Sequence, residues 1–156
     1  MGDDEVTVGA TYQLARLLAE PDPELTRVLG EIAAAFTHLE HILWLSPKRL
    51  ASIPFDEYLE VAEDSSIPQR CDDLESNYGK KVMDQQREGR LWSILGRVRE
   101  VTRRRNEVFH ALWIEQQDGK PVRNKQGKIL TADLDTMMRL RDDIRAVVQE
   151  LNSYPW

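Results

Sequence analysis

Three groups of side chains in this chain have the types and spacing to do chemistry. The densest is the run Arg103-Arg104-Arg105-Asn106-Glu107-Val108-Phe109-His110. Arg105 falls inside an apolar helical stripe, between Thr102 and Phe109, and a guanidinium there must be answered by a carboxylate, a phosphate or a subunit interface. His110 is the histidine nearest to it, and histidine is the side chain that exchanges protons near neutral pH. The second group is His38-Leu39-Glu40-His41, whose imidazoles three apart have the spacing to share one metal ion. Both histidines project away from the apolar stripe of their helix, and no second cluster of His, Cys or carboxylates completes a coordination shell, so a solvated surface and no metal or other cofactor are expected. The third is Cys71, a single cysteine that cannot form an internal disulfide. No Gly-rich phosphate loop, Cys-x-x-Cys pair or Gly-x-Ser-x-Gly elbow occurs, which leaves nucleotide-binding, zinc-finger and hydrolase readings without support.

The elements that must hold these residues are helices. Leu25, Val28, Leu29, Ile32, Phe36, Leu39 and Leu43 recur at the three- and four-residue spacing of a core-facing stripe, which Ser46-Pro47 is expected to end. Ile67, Cys71, Leu74, Tyr78 and Val82 form another stripe, and a polar run from Asp84 to Gly89 separates it from Leu91, Leu95, Val98, Thr102, Arg105, Phe109 and Leu112. A last helix runs through Leu134, Met137, Met138, Arg141, Ile144, Val148 and Leu151, with Thr131 as its expected cap and Asp133 near its positive end. Leu14, Leu17 and Leu18 fit a short helical face before Pro21 and Pro23, and residues 48 to 66 read as a connector with a short helix around Phe55 to Ala62. Turn signals at Asp118-Gly119 and Gln126-Gly127, set among short β-prone pieces, predict a small β-hairpin. No internal repeat or long linker divides the chain, so residues 1 to 156 are expected to form one mainly all-α domain, a bundle of four or five helices with a β-hairpin insertion before the last.

On this frame Glu40 lies about 40° around the helix from Phe36, at the edge of the core stripe, where a carboxylate is unfavourable without a partner. An Arg105–Glu40 ion pair is therefore expected. Such a pair can serve packing alone, with His110 a surface residue, and that reading stays open beside a functional one. The net charge of -6 hides a gradient: residues 1 to 79 carry 16 acids and 5 bases, whereas residues 80 to 105 carry 9 bases and 3 acids. The longest apolar run, Ile32 to Phe36, is far short of the roughly 20 residues a membrane helix needs, so no membrane partner is expected. The lone cysteine and the acidic start Met-Gly-Asp-Asp-Glu point to the cytoplasm.

The segment Arg105-Asn106-Glu107-Val108-Phe109-His110 resembles the Arg-x4-6-His signature of HEPN-domain proteins, including their frequent Asn directly after the Arg. Its place late in a long helix, the upstream carboxylate Glu40 and Trp113 three residues past the histidine resemble the RNxxxH-type bacterial and phage members, over a body from about Glu24 to Leu151. The resemblance implies a metal-independent endoribonuclease, a homodimer with its site at the interface, acting in the toxin–antitoxin or phage-defence systems of bacteria, with RNA as substrate and an antitoxin or defence protein as a further partner. Arg105, His110, Asn106 and Glu40 are then the catalytic candidates, and Arg103, Arg104, Lys80 and Lys81 the RNA-binding ones. In that chemistry a 2′-hydroxyl attacks its own phosphodiester and leaves a 2′,3′-cyclic phosphate, His110 moves a proton, Arg105 stabilises the charge on phosphate oxygens, and Asn106 and Glu40 position these two. The alternative is a catalytically silent HEPN-like module that binds a protein or nucleic acid. If residues 80 to 105 contact phosphates, RNA affinity should fall steeply with added salt, and replacing Arg103 and Arg104 should flatten that dependence in a binding titration; salt-indifferent binding would leave the segment a solvated face.

Overall fold

A computed structural model of the chain describes residues 16–17, 22–51, 65–81, 84–110, 112–115, 121–125, 128–131 and 133–156. Among these, four helices dominate: α1 Pro23–Ala51, α2 Ile67–Lys81, α3 Gln85–Phe109 and α4 Leu134–Asn152. α1 packs on α2 and α4, and α3 packs on the same two neighbours, so the four close into a ring around one core. Ile32, Leu39 and Leu43 from α1, Cys71 and Leu74 from α2, Leu91, Ile94, Leu95 and Val98 from α3, and Met137, Leu140, Ile144 and Leu151 from α4 are buried in it. Each set is an i, i+3/i+4 stripe, and burying these stripes against one another is what holds the helices in place. α3 and α4 run antiparallel, because Arg97 meets Glu150 while Arg104 meets Asp143.

Four short strands, β1 Arg16–Leu17, β2 Leu112–Glu115, β3 Pro121–Lys125 and β4 Lys128–Thr131, pair antiparallel in the order β1-β2-β3-β4, with Leu17 opposite Ile114 and Ile114 opposite Val122. The turns expected at Asp118-Gly119 and Gln126-Gly127 and the short helix expected around Phe55 to Ala62 lie outside the described residues.

Several element boundaries differ from the sequence pattern, each for a local reason. α1 continues through Pro47 to Ala51. Buried Ser46 donates its hydroxyl to the Ile42 carbonyl at 2.7 Å, one turn back along α1. The polar run before Leu91 is not a separator but the first turn of α3, capped by Asp84, whose carboxylate accepts from the backbone N–H groups of Gln86 and Arg87. α4 is capped by Asp133 rather than Thr131; its carboxylate accepts from the N–H and the hydroxyl of Thr136, both at 2.8 Å, while Thr131 belongs to β4. Leu17 lies in β1 rather than on a helix, since a three-leucine face is too short to offset the cost of helix nucleation. No helix of the described residues is long and apolar enough to cross a membrane.

Ion pairs tie the outer surfaces together. Glu31 of α1 accepts from Arg141 of α4 at 2.9 Å and from Arg27 one turn earlier, and Arg145 approaches at 3.5 Å. The Arg141 hydrogen bond, then Arg27, hold the Glu31 carboxyl below its ordinary range; Arg97 does the same to Glu150, and the Thr136 N–H to Asp133. A carboxylate whose pKa is lower folded than unfolded adds stability above its unfolded pKa, roughly 4.3 for Glu, and loses it as pH falls through the folded value. The thermal midpoint should therefore drop below about pH 4, and Glu31→Gln should show a shallower acid limb in melts taken across that range. Superimposable acid limbs would mean that Glu31 contributes nothing to α1–α4 docking.

Candidate functional site

α3 points Arg105 along the same line as its buried residues, one turn past Val101 and Thr102 and three residues before Val108, the last buried residue of the helix. There the guanidinium is half-buried and lies between two aromatic rings, 4.6 Å from the centroid of Phe36 on α1 and 4.8 Å from that of Phe109, the last residue of α3. The second contact follows from helix geometry, since residues four apart share a face. Phe36 is buried, while Phe109 is 39% exposed. The quadrupoles of the two rings favour a cation between them.

The expected Arg105–Glu40 pair is not formed. Glu40 is exposed, and its backbone carbonyl, not its carboxylate, receives a long 3.5 Å contact from Arg70 of α2. The reason is geometric: the buried stripe of α1 is centred between Phe36 and Ala35, so a residue one turn beyond Phe36 on its outer side clears the core and reaches water. Among the described residues Arg105 has no ion pair. Its Nη1 donates to the Asn106 side-chain oxygen at 3.1 Å, and its Nε is buried with no hydrogen-bond acceptor. An orphaned donor in such a place costs roughly 1–3 kcal/mol.

His110 follows as the C-cap of α3, exposed, with its backbone N–H donated to the Asn106 carbonyl at 2.9 Å. Asn106 binds Arg105 through its side chain, while its carbonyl takes the His110 N–H in the ordinary i→i−4 bond of the helix end. Sequence spacing singled out these three residues but gave no sign of Phe36, whose ring comes from another helix; the signal for Phe109 was present as its four-residue offset from Arg105.

Of the remaining basic candidates, the two arginines are otherwise engaged. Arg103 bridges Glu100 at 2.8 Å and Glu107 at 2.5 Å, and Arg104 binds Asp143 of α4 at 2.6 Å. Arg99 spans Asp72 and Glu75 of α2, and Arg97 chelates Glu150. These carboxylates raise the proton affinity of Arg97, Arg99 and Arg103 above the ordinary guanidinium range. Lys80 and Lys81 end α2, and their side chains lie outside the described residues. His38, Glu40 and His41 are all exposed, His41 stacks on Trp44 at 5.9 Å, and among the described residues no group of three or more His, Cys, Asp or Glu is placed to hold a metal ion. Cys71 is fully buried, and that burial pushes its thiol up to about 12, away from nucleophilic chemistry.

No protein-family model matches the chain, and neither a curated protein nor a solved structure matches it.

Since Arg105 neutralises no carboxylate and carries an orphaned Nε, its removal should not unfold the bundle. Arg105→Met, which keeps the length and the contact with both rings, should lie within about 1 kcal/mol of the wild type in urea unfolding, the lost cation–π contacts offsetting the relieved donor. A loss of several kcal/mol would show that Arg105 is held for packing after all.

Proposed function

We propose that this chain is a metal-independent endoribonuclease of the HEPN type, a helical bundle with a β-hairpin insertion before α4, acting as a toxin or defence effector on RNA. The observation that carries this reading is the state of Arg105: a guanidinium on the core-facing side of α3, unpaired with any described carboxylate, hydrogen-bonded to the Asn106 side chain and followed five residues on by the exposed His110. A buried-edge arginine without a carboxylate is poised to accept an anion, and a phosphodiester is the anion that the neighbouring histidine can act on.

In the proposed reaction the 2′-hydroxyl oxygen of a ribose attacks the adjacent phosphorus. The bond from phosphorus to the 5′-oxygen breaks, and the proton released by the 2′-hydroxyl ends on that leaving oxygen. His110 carries it, and Arg105 meets the negative charge that builds on the non-bridging oxygens. The nucleophile belongs to the RNA, so the step uses no metal-bound water and leaves a 2′,3′-cyclic phosphate. Residues five apart on a helix diverge by about 140°, and the reaction is therefore assigned to a dimer in which Arg105 of one copy works with His110 of the other. Trp92, 46% exposed, lies on the same line of α3 as His110, five turns away, and supplies an apolar contact for the second copy.

The alternative, a catalytically silent module that binds a protein or nucleic acid, draws support from a different observation: Arg97, Arg99, Arg103 and Arg104 are already paired with carboxylates, which leaves less positive charge for RNA than the sequence promises.

His110→Ala distinguishes the two. His110 is exposed and its side chain holds no described contact, so the variant should fold with an unchanged melt. Its cleavage of a broad RNA pool should fall by about 100- to 10,000-fold, while wild-type cleavage should survive excess EDTA. Mixing inactive His110→Ala and Arg105→Met chains should restore activity if the two residues act across the dimer. Equal cleavage by mutant and wild type, or none by either, would favour the silent module.

A further inference from the structure

The Arg105 guanidinium has a described contact with Asn106, Phe109 and Phe36, and the first two belong to its own helix. Asn106 is its chain neighbour and Phe109 lies one turn on along α3, so both move with the arginine they touch. Phe36 is different. Its ring comes from α1, is 3% exposed, and belongs to the core with Ile32 one turn before it and Leu39 one turn after, so the packing of the whole bundle fixes it. Of the described hydrogen bonds, ion pairs and ring contacts of Arg105, the one to Phe36 reaches another helix.

We propose that Phe36 is the positioning residue of Arg105, holding the guanidinium in place with the face of its ring where a carboxylate would otherwise stand. The functional consequence rests on the ribonuclease reading, to which it adds a residue that spacing along α3 does not reach. A guanidinium 4.6 Å from the ring centroid is within the range at which the ring quadrupole attracts it. A carboxylate at the same place would attract it more strongly but would cancel its charge, and an arriving phosphate would have to displace that partner. The ring carries no net charge, so it orders the side chain and leaves the positive charge for the anion. The buried Nε without an acceptor fits this arrangement, since at that nitrogen the guanidinium is held beside a ring and not by a hydrogen bond. A cation ordered in advance meets the charge that builds on phosphate oxygens in the transition state without first being immobilised, so loss of the hold acts on kcat more than on KM.

The test uses the full chain with Phe36 replaced by phenylalanines of increasing ring fluorination, which weakens the negative ring face with little change of shape, and by leucine, which removes the face. Two quantities are read: solvent exchange of the Arg105 Nε–Hε proton by NMR, and kcat and KM for cleavage of one RNA oligonucleotide. Melting curves confirm folding, and the fluorine series stands by itself if Phe36→Leu does not fold. Arg105 exchange should quicken stepwise with fluorination while that of Arg97 and Arg99 stays the same. The kcat should fall in the same order, by about 2- to 30-fold for the most fluorinated ring, with KM changing less. Exchange and kcat that ignore fluorination would make Phe36 a packing residue and overturn the proposal. So would a fall in kcat with Arg105 exchange unchanged, or quicker exchange with kcat unchanged. Fluorine-dependent exchange in a protein whose wild type cleaves no RNA would keep Phe36 as the residue that holds Arg105 and overturn the ribonuclease reading alone.

Discussion

Each helix of a four-helix bundle presents an apolar stripe to the core, and in the last turns of α3 a guanidinium takes a place on that stripe, between the buried Thr102 and Val108. The rest of this end of the molecule follows from that placement. A cation on the core-facing side has three ways to be tolerated: a carboxylate, aromatic faces, or a ligand that arrives later. The fold shows the first solution elsewhere. Arg141, on the equivalent stripe of α4, is well covered and binds both Glu31 and Asp142. Arg105 has only the second solution, with Phe36 and Phe109 on either side and Asn106 on one nitrogen. Two cation–π contacts, each worth roughly 0.5–2 kcal/mol, are enough to hold the side chain in place without consuming its charge.

The same contrast explains why the basic segment behaves differently from its composition. Nine bases within residues 80 to 105 look like a phosphate-binding strip, yet α3 turns most of its arginines toward acids on α2 and α4 or on its own next turn. These are surface pairs, which add little stability singly but orient α3 against its neighbours and remove free positive charge from its flanks. Near the end of α3, Arg105 is left without a carboxylate among the described residues.

The sequence made the four helices legible because their stripes are long and periodic, and the core residues of α1, α3 and α4 are largely those the pattern selects. Boundaries were less legible, since they turn on local contacts: Asp133 rather than Thr131 caps α4, and α1 runs on through Pro47 to Ala51. Within the site, Arg105 was recognisable as an arginine out of place, and Asn106 and His110 by their offset from it. Its environment was not recognisable. Glu40 fits Arg105 on a helical wheel, but a wheel treats one helix at a time and cannot say that Phe36, four residues before Glu40, is the α1 residue whose ring meets the Arg105 guanidinium. Likewise net charge per segment cannot show that Asp143 and Glu150, far along the chain, meet Arg104 and Arg97.

The central claim is that the Arg105 guanidinium is an anion site rather than a packing device, and its own side-chain resonance reports on this most directly. With the protein labelled in arginine nitrogen, the Nε–Hε signal of Arg105, assigned by its loss in Arg105→Met, would be followed by NMR while a short 2′-O-methyl single-stranded RNA is added. The account predicts a saturable shift of this signal that matches the binding curve, with the paired Arg97 and Arg99 signals moving less. An Arg105 signal that stays fixed while the RNA binds elsewhere would contradict it.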